Sequence, residues 1–331
     1  MKNRRGRTGP VQRIGVLGCA DIAVRRALPA IGESPFDLAA VASRSKEKAA
    51  RVAARFGCEA VVGYARLLEL DVDAVYIPLP NSEHARWADR ALSAGKHVLI
   101  EKPAVSTADA ARGLVARAQA HRLLVMENFA FLHHPQHDQA RSLVTNGCIG
   151  EIRSYTGSFG IPPAGHHAIR YQPSLGGGSL SEVGCYPVRA AQEYLEPPVQ
   201  VVGASLEFDQ ELGVDIAGAA LLRDRRGVTA HCSFGMAHGY RSTYDIWGSK
   251  GRLVLDWAFT PSREARPVLR LQQQDRETRF VAPASDQFVG VITAFFDAMR
   301  DPLSHQAQHG AMVRQAEVME QIRSQAQLSS P

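Results

Sequence analysis

Arg13-Ile14-Gly15-Val16-Leu17-Gly18-Cys19-Ala20-Asp21-Ile22-Ala23 is the stretch that decides how this chain folds. A short apolar run ends at a glycine and opens into helical spacing over Asp21 to Ile31, where Pro29 predicts a kink. The turn reads G-x-A-x-x-A, a variant of the dinucleotide fingerprint. Gly18 permits the tight turn, and small Ala20 and Ala23 let the backbone approach a pyrophosphate while the helix packs on the strand. The helix start then presents free N–H groups to phosphates. Gly18, Cys19, Ala20, Asp21 and Ile22 are thus the expected phosphate-binding residues.

Downstream, apolar runs keep alternating with helical patterns. Leu38 to Ala42 precedes an Ala-rich, charged helix over Lys46 to Phe56 that stops at Gly57. Ala74 to Ile77, His97 to Ile100 and Leu123 to Met126 read as further strands, separated by helices over Ser82 to Ala94 and Thr107 to His121. Asn81 or Ser82 is the expected cap of the first of these helices. The order is that of βαβ units and a doubly wound parallel sheet.

Past about residue 150 the pattern changes. One helix is expected near Leu180 to Leu195, then strands over Val199–Phe208, Val214–Leu222, Val228–Phe234, Thr243–Trp247, Arg252–Leu255 and Val268–Gln272. Turns at Gly227, Gly248 and Gly251 indicate a mostly antiparallel sheet. Helices over Gln287–Met299 and His305–Gln325 close the chain. The expectation is α/β: an N-terminal Rossmann domain (12–127) and a C-terminal α+β domain on a large open sheet (128–331). A disordered basic leader, 1–11, precedes them.

The second strand ends at Ala42-Ser43-Arg44-Ser45, about 20 residues past the turn, where an NAD site places an acid on the ribose hydroxyl. None stands here. Ser43 and Arg44, with Lys48 one turn on, instead suit a 2′-phosphate and point to NADP(H); the competing reading makes Arg44 a solvated loop residue. Ile100-Glu101-Lys102-Pro103 then traps a lysine between a buried strand and a proline, where its ammonium can polarise a carbonyl.

With 331 residues, 45% apolar and 21% charged, the chain has ample material for a core. No run approaches a membrane span, and Met1 to Gly9 has no apolar signal region. A net charge of +5 with basic residues clustered only in the first seven argues against nucleic-acid binding. Five scattered cysteines without CxxC speak for a reducing cytoplasm, with Cys185 a buried filler or a reactive thiol. His133, His134, His166 and His167 resemble metal ligands by type, but no acid pattern supports them and no metal is expected.

Three further segments fall in a recognisable order: Pro78-Leu79-Pro80-Asn81-Ser82-Glu83-His84, Glu101-Lys102-Pro103, and Gly176-Gly177-Gly178-Ser179-Leu180-Ser181-Glu182-Val183-Gly184-Cys185-Tyr186. With the glycine turn, they make the chain resemble the glucose–fructose oxidoreductase / inositol dehydrogenase / rhizopine-catabolism (Gfo/Idh/MocA) family from about residue 12 to the end. The resemblance implies nicotinamide-dependent hydride transfer on sugars or polyols, and a homo-oligomer, dimer or tetramer, formed through the C-terminal sheet. It places Leu79, Asn81 and His84 beside the nicotinamide ribose, Glu101 at the strand end, and Arg170 against cofactor or substrate. Two residues depart from the pattern: Glu182 stands for the usual Asp, and Tyr186 for the His of polyol dehydrogenases. Tyr186 and Glu127-Asn128-Phe129 resemble the glucose–fructose oxidoreductase and dihydrodiol dehydrogenase branch. Most of all the chain is similar to the nucleotide-sugar 3-ketoreductases of antibiotic deoxysugar pathways, which reduce C-3 of a dTDP-3,4-diketo-2,6-dideoxyhexose with NADPH.

Hydride delivered to a ketone leaves an alkoxide that needs stabilising and protonating. Tyr186 as acid, its pKa lowered by the Lys102 ammonium that holds the carbonyl oxygen, is one assignment; direct donation by Lys102 is the other. Gly176 to Gly178 favour an active Tyr186, because bare backbone there can approach a ligand. Asn128, Phe129 and Glu182 complete the expected substrate-binding set with Lys102 and Tyr186. The readings left open are a dTDP-sugar ketoreductase, a free-sugar or dihydrodiol dehydrogenase, and a non-catalytic sugar or nucleotide sensor on the same scaffold.

Overall fold

The structure is a computed structural model describing residues 12–165 and 167–328; the basic leader and His166 lie outside the described residues. Six parallel strands form the first sheet in the order β3-β2-β1-β4-β5-β6. They are β1 (Arg13–Leu17), β2 (Asp37–Ser43), β3 (Glu59–Val62), β4 (Ala74–Ile77), β5 (His97–Glu101) and β6 (Val125–Asn128). The strand order reverses between β1 and β4, which run parallel, so a crevice opens outside their C-terminal ends at that switch point. Gly18, Pro78 to Asn81, Lys102 and Asn128 all sit on that edge.

The connecting helices are α1 (Leu28–Glu33), α2 (Lys46–Phe56), α3 (Tyr64–Leu68), α4 (Asn81–Ser93) and α5 (Ala108–Ala120). Local chemistry sets several ends. Ser45 accepts from the Lys48 N–H and Thr107 from the Ala110 N–H, capping α2 and α5, and Gly57 stops α2 in the left-handed conformation. The expected kink at Pro29 is a join: a π turn over Ala23–Ala27 hands over to α1, with Pro29 in its first turn. Asn81 does not cap α4. The cap position is Pro80, and Asn81 Nδ2 instead donates to the Gly176 carbonyl (2.9 Å).

After α6 (Pro135–Thr145) comes an eight-stranded sheet in the order β14-β13-β12-β11-β7-β10-β9-β8. Its strands are β7 (Ile152–Gly160), β8 (Gln200–Asp209), β9 (Val214–Arg223), β10 (Thr229–Gly235), β11 (Arg241–Gly248), β12 (Arg252–Asp256), β13 (Val268–Gln273) and β14 (Arg276–Val281). All neighbours are antiparallel except β7 and β10. One face buries Tyr155, Leu222, Ala230, Cys232 and Ile246 against α7 (Cys185–Ala191) and its preceding turn.

The last two helices tie the sheets together. Phe288, Val291, Ile292 and Phe295 of α8 (Gln287–Ala298) pack with Ile14, Val16 and Tyr76 of the first sheet. Along α9 (Pro302–Leu328), Met312 and Ala316 join the first core, while Val318, Met319 and Ile322 join the second. Among the described residues no helix is long and apolar enough to cross a membrane.

Candidate active site

A cleft of about 750 Å³ lies between the edge of the first sheet and the second sheet. It collects Ala20, Asp21, Ile22, Leu79, Asn81, Glu101, Lys102, Asn128, Arg170, Glu182 and Tyr186, residues 166 positions apart in the chain at the extremes.

At the turn after β1, Gly18 has φ +126°, and a Cβ there would come within 2.9 Å of Leu79 Cδ2. Only glycine fits. Cys19 is buried beneath the turn with its thiol toward the Ala42 carbonyl, so its side chain does not face the cleft. Asp21 pairs with Arg25 on the solvent side (3.3 Å). The small side chains and the fresh helix start fit a pyrophosphate.

The corner at the end of β2 needs a correction. Ser43 is buried and its hydroxyl accepts from the Ser45 N–H (3.2 Å), so it shapes the turn instead of facing a ligand. Arg44 and Lys48 are exposed beside the N-terminus of α2, an arrangement that fits a phosphate. Arg44 also lies close enough to Tyr64 for its charge to act against the burial that raises that phenol.

Lys102 is the centre of the site. Only 13% of its side chain is exposed, and Nζ donates to the Glu182 carbonyl (2.9 Å) while lying 3.5 Å from Glu182 Oε2. The ammonium also sits 5.0 Å from the centre of the Tyr186 ring. Burial alone would discharge this lysine, but the Glu182 carboxylate, with Tyr186, Cys185 and Glu101 behind it, holds its pKa above the usual lysine value. Reciprocally, Lys102 outweighs burial to keep Glu182 below the usual carboxylate range. Arg170 flanks the pair, its guanidinium 3.9 Å from Glu182 Oε1.

Glu101 faces the same space, pushed up by burial against the hydrogen bonds it accepts from Tyr76 (2.6 Å), Asn128 and the Lys102 N–H. Asn128 Nδ2 is used there, while its buried Oδ1 has no donor among the described residues. That oxygen, on the cleft wall, can accept from a ligand hydroxyl.

Tyr186 behaves differently from expectation. Burial raises its pKa well above the ordinary phenol value; the Lys102 ammonium pulls it down, but less. Its ring is packed edge-on by Phe129 and Phe159 (6.0 and 5.0 Å between centroids). Phe129 is therefore wedged behind Tyr186 and does not line the cleft. Gly176, Gly177 and Gly178 line the cleft, and the protein itself also requires a glycine at Gly178 (φ +122°), where a Cβ would lie 2.3 Å from Asp215 Oδ1. Asp215 then accepts from Ser179 Oγ and the Leu180 N–H, both at 2.7 Å, and so fixes the π turn Leu180–Gly184 that aims Glu182.

His84 is fully buried. Its ring spans the carbonyls of Pro103 (2.9 Å) and Leu79 (2.8 Å), bracing two cleft loops from behind. Cys185 is inert: burial pushes its thiol up to about 12. His134 caps α6 through the Gln136 N–H, and among the described residues no cluster of three metal-ligating side chains occurs. Arg26, Trp257, Gln287 and Phe288 line the cleft without having been anticipated. The last three come from the chain's C-terminal third, with no local motif to announce them.

Similarity to known proteins extends over both sheets. Residues 12–129 match the oxidoreductase family with an NAD-binding Rossmann fold, GFO/IDH/MocA, and residues 137–254 match the GFO/IDH/MocA C-terminal domain. A dTDP-3,4-didehydro-2,6-dideoxy-alpha-D-glucose 3-reductase of Saccharopolyspora spinosa is 48% identical over 318 residues, 94% of this chain and 96% of its own. The enzyme of that name from Actinomadura kijaniata is 48% identical over 316 residues, 95% of each. The crystal structure of KijD10, a 3-ketoreductase from Actinomadura kijaniata, in complex with NADP and TDP-benzene superposes with a TM-score of 0.91 at 47% identity, covering 96% of this chain and 98% of that one.

Proposed function

Because this chain belongs to the GFO/IDH/MocA oxidoreductase family, we propose that it is an NADPH-dependent reductase of the C-3 ketone of a dTDP-linked 3,4-diketo-2,6-dideoxyhexose. The observation that carries the reading is the Lys102 ammonium, fixed by Glu182 over the face of Tyr186 on the wall of a cleft that begins at a dinucleotide turn. Relatives of that name share nearly half of their residues with this chain over almost its full length.

When bound, NADPH supplies the hydride. Ala20 to Ile22 and the helix start receive its pyrophosphate, and Arg44 with Lys48 receives its 2′-phosphate. Two directions of the Lys102 ammonium are taken by Glu182, and the third polarises the ketone oxygen and stabilises the developing alkoxide. Among the described residues the Tyr186 hydroxyl has no hydrogen-bond partner, and it gives its proton to that alkoxide. A charged Lys102 clamped by Glu182 is the poorer donor of the two. Asn128 Oδ1 accepts from a sugar hydroxyl.

Assembly belongs to the same proposal. Thr156, Leu221, His231 and Trp247 share the sheet face opposite the core, with Trp247 62% exposed, and this face pairs with another copy of the chain.

The deciding experiment follows NADPH absorbance with a freshly generated dTDP-3,4-diketo-2,6-dideoxyhexose. Saturable oxidation is expected. No turnover with that sugar, alongside turnover of a free aldose, would replace the reading with a free-sugar dehydrogenase.

A further inference from the structure

One wall of the cleft has no part in the reduction chemistry. Aromatic rings lead outward from Tyr186: Phe159 lies 5.0 Å away, Tyr240 a further 6.5 Å, and Trp257 another 5.4 Å, tilted 34° to Tyr240. Trp257 ends the series on the cleft rim and is 56% exposed, although tryptophan usually buries most of its surface.

Its backbone is held in the left-handed region at φ +59°, which a bulky residue adopts only when its surroundings impose it. Those surroundings are visible. Fully buried Gln136 donates to the carbonyls of Trp257 (3.3 Å) and Ala258 (3.2 Å). His137 donates to the Ala258 carbonyl (2.8 Å) while accepting from Tyr244, the pattern of a neutral imidazole. The N–H groups of Ala258 and Phe259 donate to the Ser242 carbonyl (2.8 Å) and hydroxyl (2.9 Å). A hydroxyl contact with Thr260 holds Tyr240. Stability does not explain an outward ring on a strained, clamped backbone: glycine would suit the φ better, and an inward ring would bury more.

Gln287 lines the same cleft. Its Nε2 donates to the Phe259 carbonyl (3.3 Å), which fixes the amide's orientation and leaves the buried Oε1 without a donor among the described residues. A flat π surface and an unmet acceptor fit a planar heterocycle that carries an in-plane N–H.

We propose that Trp257, backed by Tyr240, is the platform on which the substrate's pyrimidine base stacks, with Gln287 Oε1 accepting from the base's imide N–H. The proposal rests on the nucleotide-sugar reading and deepens it. Stacking supplies affinity for any flat base. Gln287 supplies choice: thymine and uracil have a ring N–H to give, whereas cytosine has an acceptor at that position.

Calorimetric titration of the full chain with dTDP, dCDP and NADPH tests this. W257G should weaken dTDP about ten-fold or more, leave NADPH affinity unchanged, and leave the melting temperature no lower, since glycine accepts the φ. W257F should keep most of the affinity, and Q287L should weaken dTDP but not dCDP. Wild-type dTDP affinity in W257G, or an equal loss for NADPH, overturns the platform while the nucleotide-sugar reading stands. If the wild-type chain itself shows no saturable dTDP binding, that reading falls and takes the platform with it.

Discussion

Glu182 holds Lys102 twice, accepting at its backbone carbonyl (2.9 Å) and pairing at its carboxylate (3.5 Å). The first contact is fixed by the turn; the second depends on the side chain. Glu182→Gln therefore keeps the ammonium in place but removes the charge that opposes burial. Lys102 should then lose its proton at lower pH, and kcat/KM should acquire an alkaline limb shifted to lower pH than in the wild type. A pH–rate profile reads this, and superposable profiles would contradict it. Glu182→Asp, one methylene shorter, should lie between the two.

Tyr186→Phe separates the two proton donors. Phe129, Phe159 and Phe259 pack the ring (6.0, 5.0 and 5.8 Å) and make no use of the hydroxyl, so folding should be unaffected. General acid catalysis contributes roughly 10²–10⁴-fold, and a kcat loss in that range with little change in KM is expected if Tyr186 is the donor. A loss of only a few-fold would assign the proton to Lys102.

Much of the first sheet was legible because each βα unit carries its own punctuation. The helix expected over Lys46 to Phe56 spans those residues and stops at Gly57 as read, with Ser45 as its N-cap. The second sheet was less so. β7 reads Ile-Arg-Ser-Tyr-Thr-Gly-Ser-Phe-Gly, and its Ser and Gly conceal a strand that two hydrogen-bonded neighbours impose. β14 is a charged edge with four polar residues in six, which matches edge protection more than a core pattern. At the site, Lys102, Glu182 and Tyr186 were found through ordered motifs. Trp257 and Gln287 were not, because tertiary contacts alone bring them to the cleft. Burial could not be read from one dimension either: that His84 is fully enclosed, and that burial outweighs Lys102 in setting the Tyr186 shift, show only in the fold.

Cofactor choice hinges on Arg44. Ser43-Arg44-Ser45-Lys46 at the end of β2 contains no acid and Ser43 is already engaged, so on the proposed reading Arg44 takes most of the 2′-phosphate contact, with Lys48 one turn away. A charge-assisted hydrogen bond is worth about 1.5–3 kcal/mol, so Arg44→Ala should raise the Kd for NADPH about 10- to 100-fold and leave NADH nearly unchanged. Lys48→Ala should do the same more weakly. Equal losses for both cofactors would mean that Arg44 supports the fold through Tyr64 instead.

Acid should loosen the seam between α9 and the first sheet. His97 and His309 meet there around His305, with rings 5.9 and 6.1 Å from it, and His309 Nε2 accepts from the Val125 N–H. Burial, then the neighbouring His305, lowers both to about 4. His133 (about 4) and His137 (about 3) are depressed in the same way. Each unfolded histidine titrates near 6.5, so between pH 6.5 and 4 the unfolded chain binds more protons and stability falls as pH falls. Glu127, raised by burial to about 7, and Glu101, raised by burial as well, act in the opposite sense, gaining stability as pH drops toward 4.5, but burial also lowers His84 and His134, so two groups stand against six. Chemical denaturation at pH 7 and pH 5 should thus show a less stable protein at pH 5. His309→Gln keeps an acceptor for Val125 without a titrating ring, and should flatten the dependence by about 1.4 kcal/mol per pH unit across the window. An unchanged slope in that variant would place the acid sensitivity elsewhere than the α9 seam.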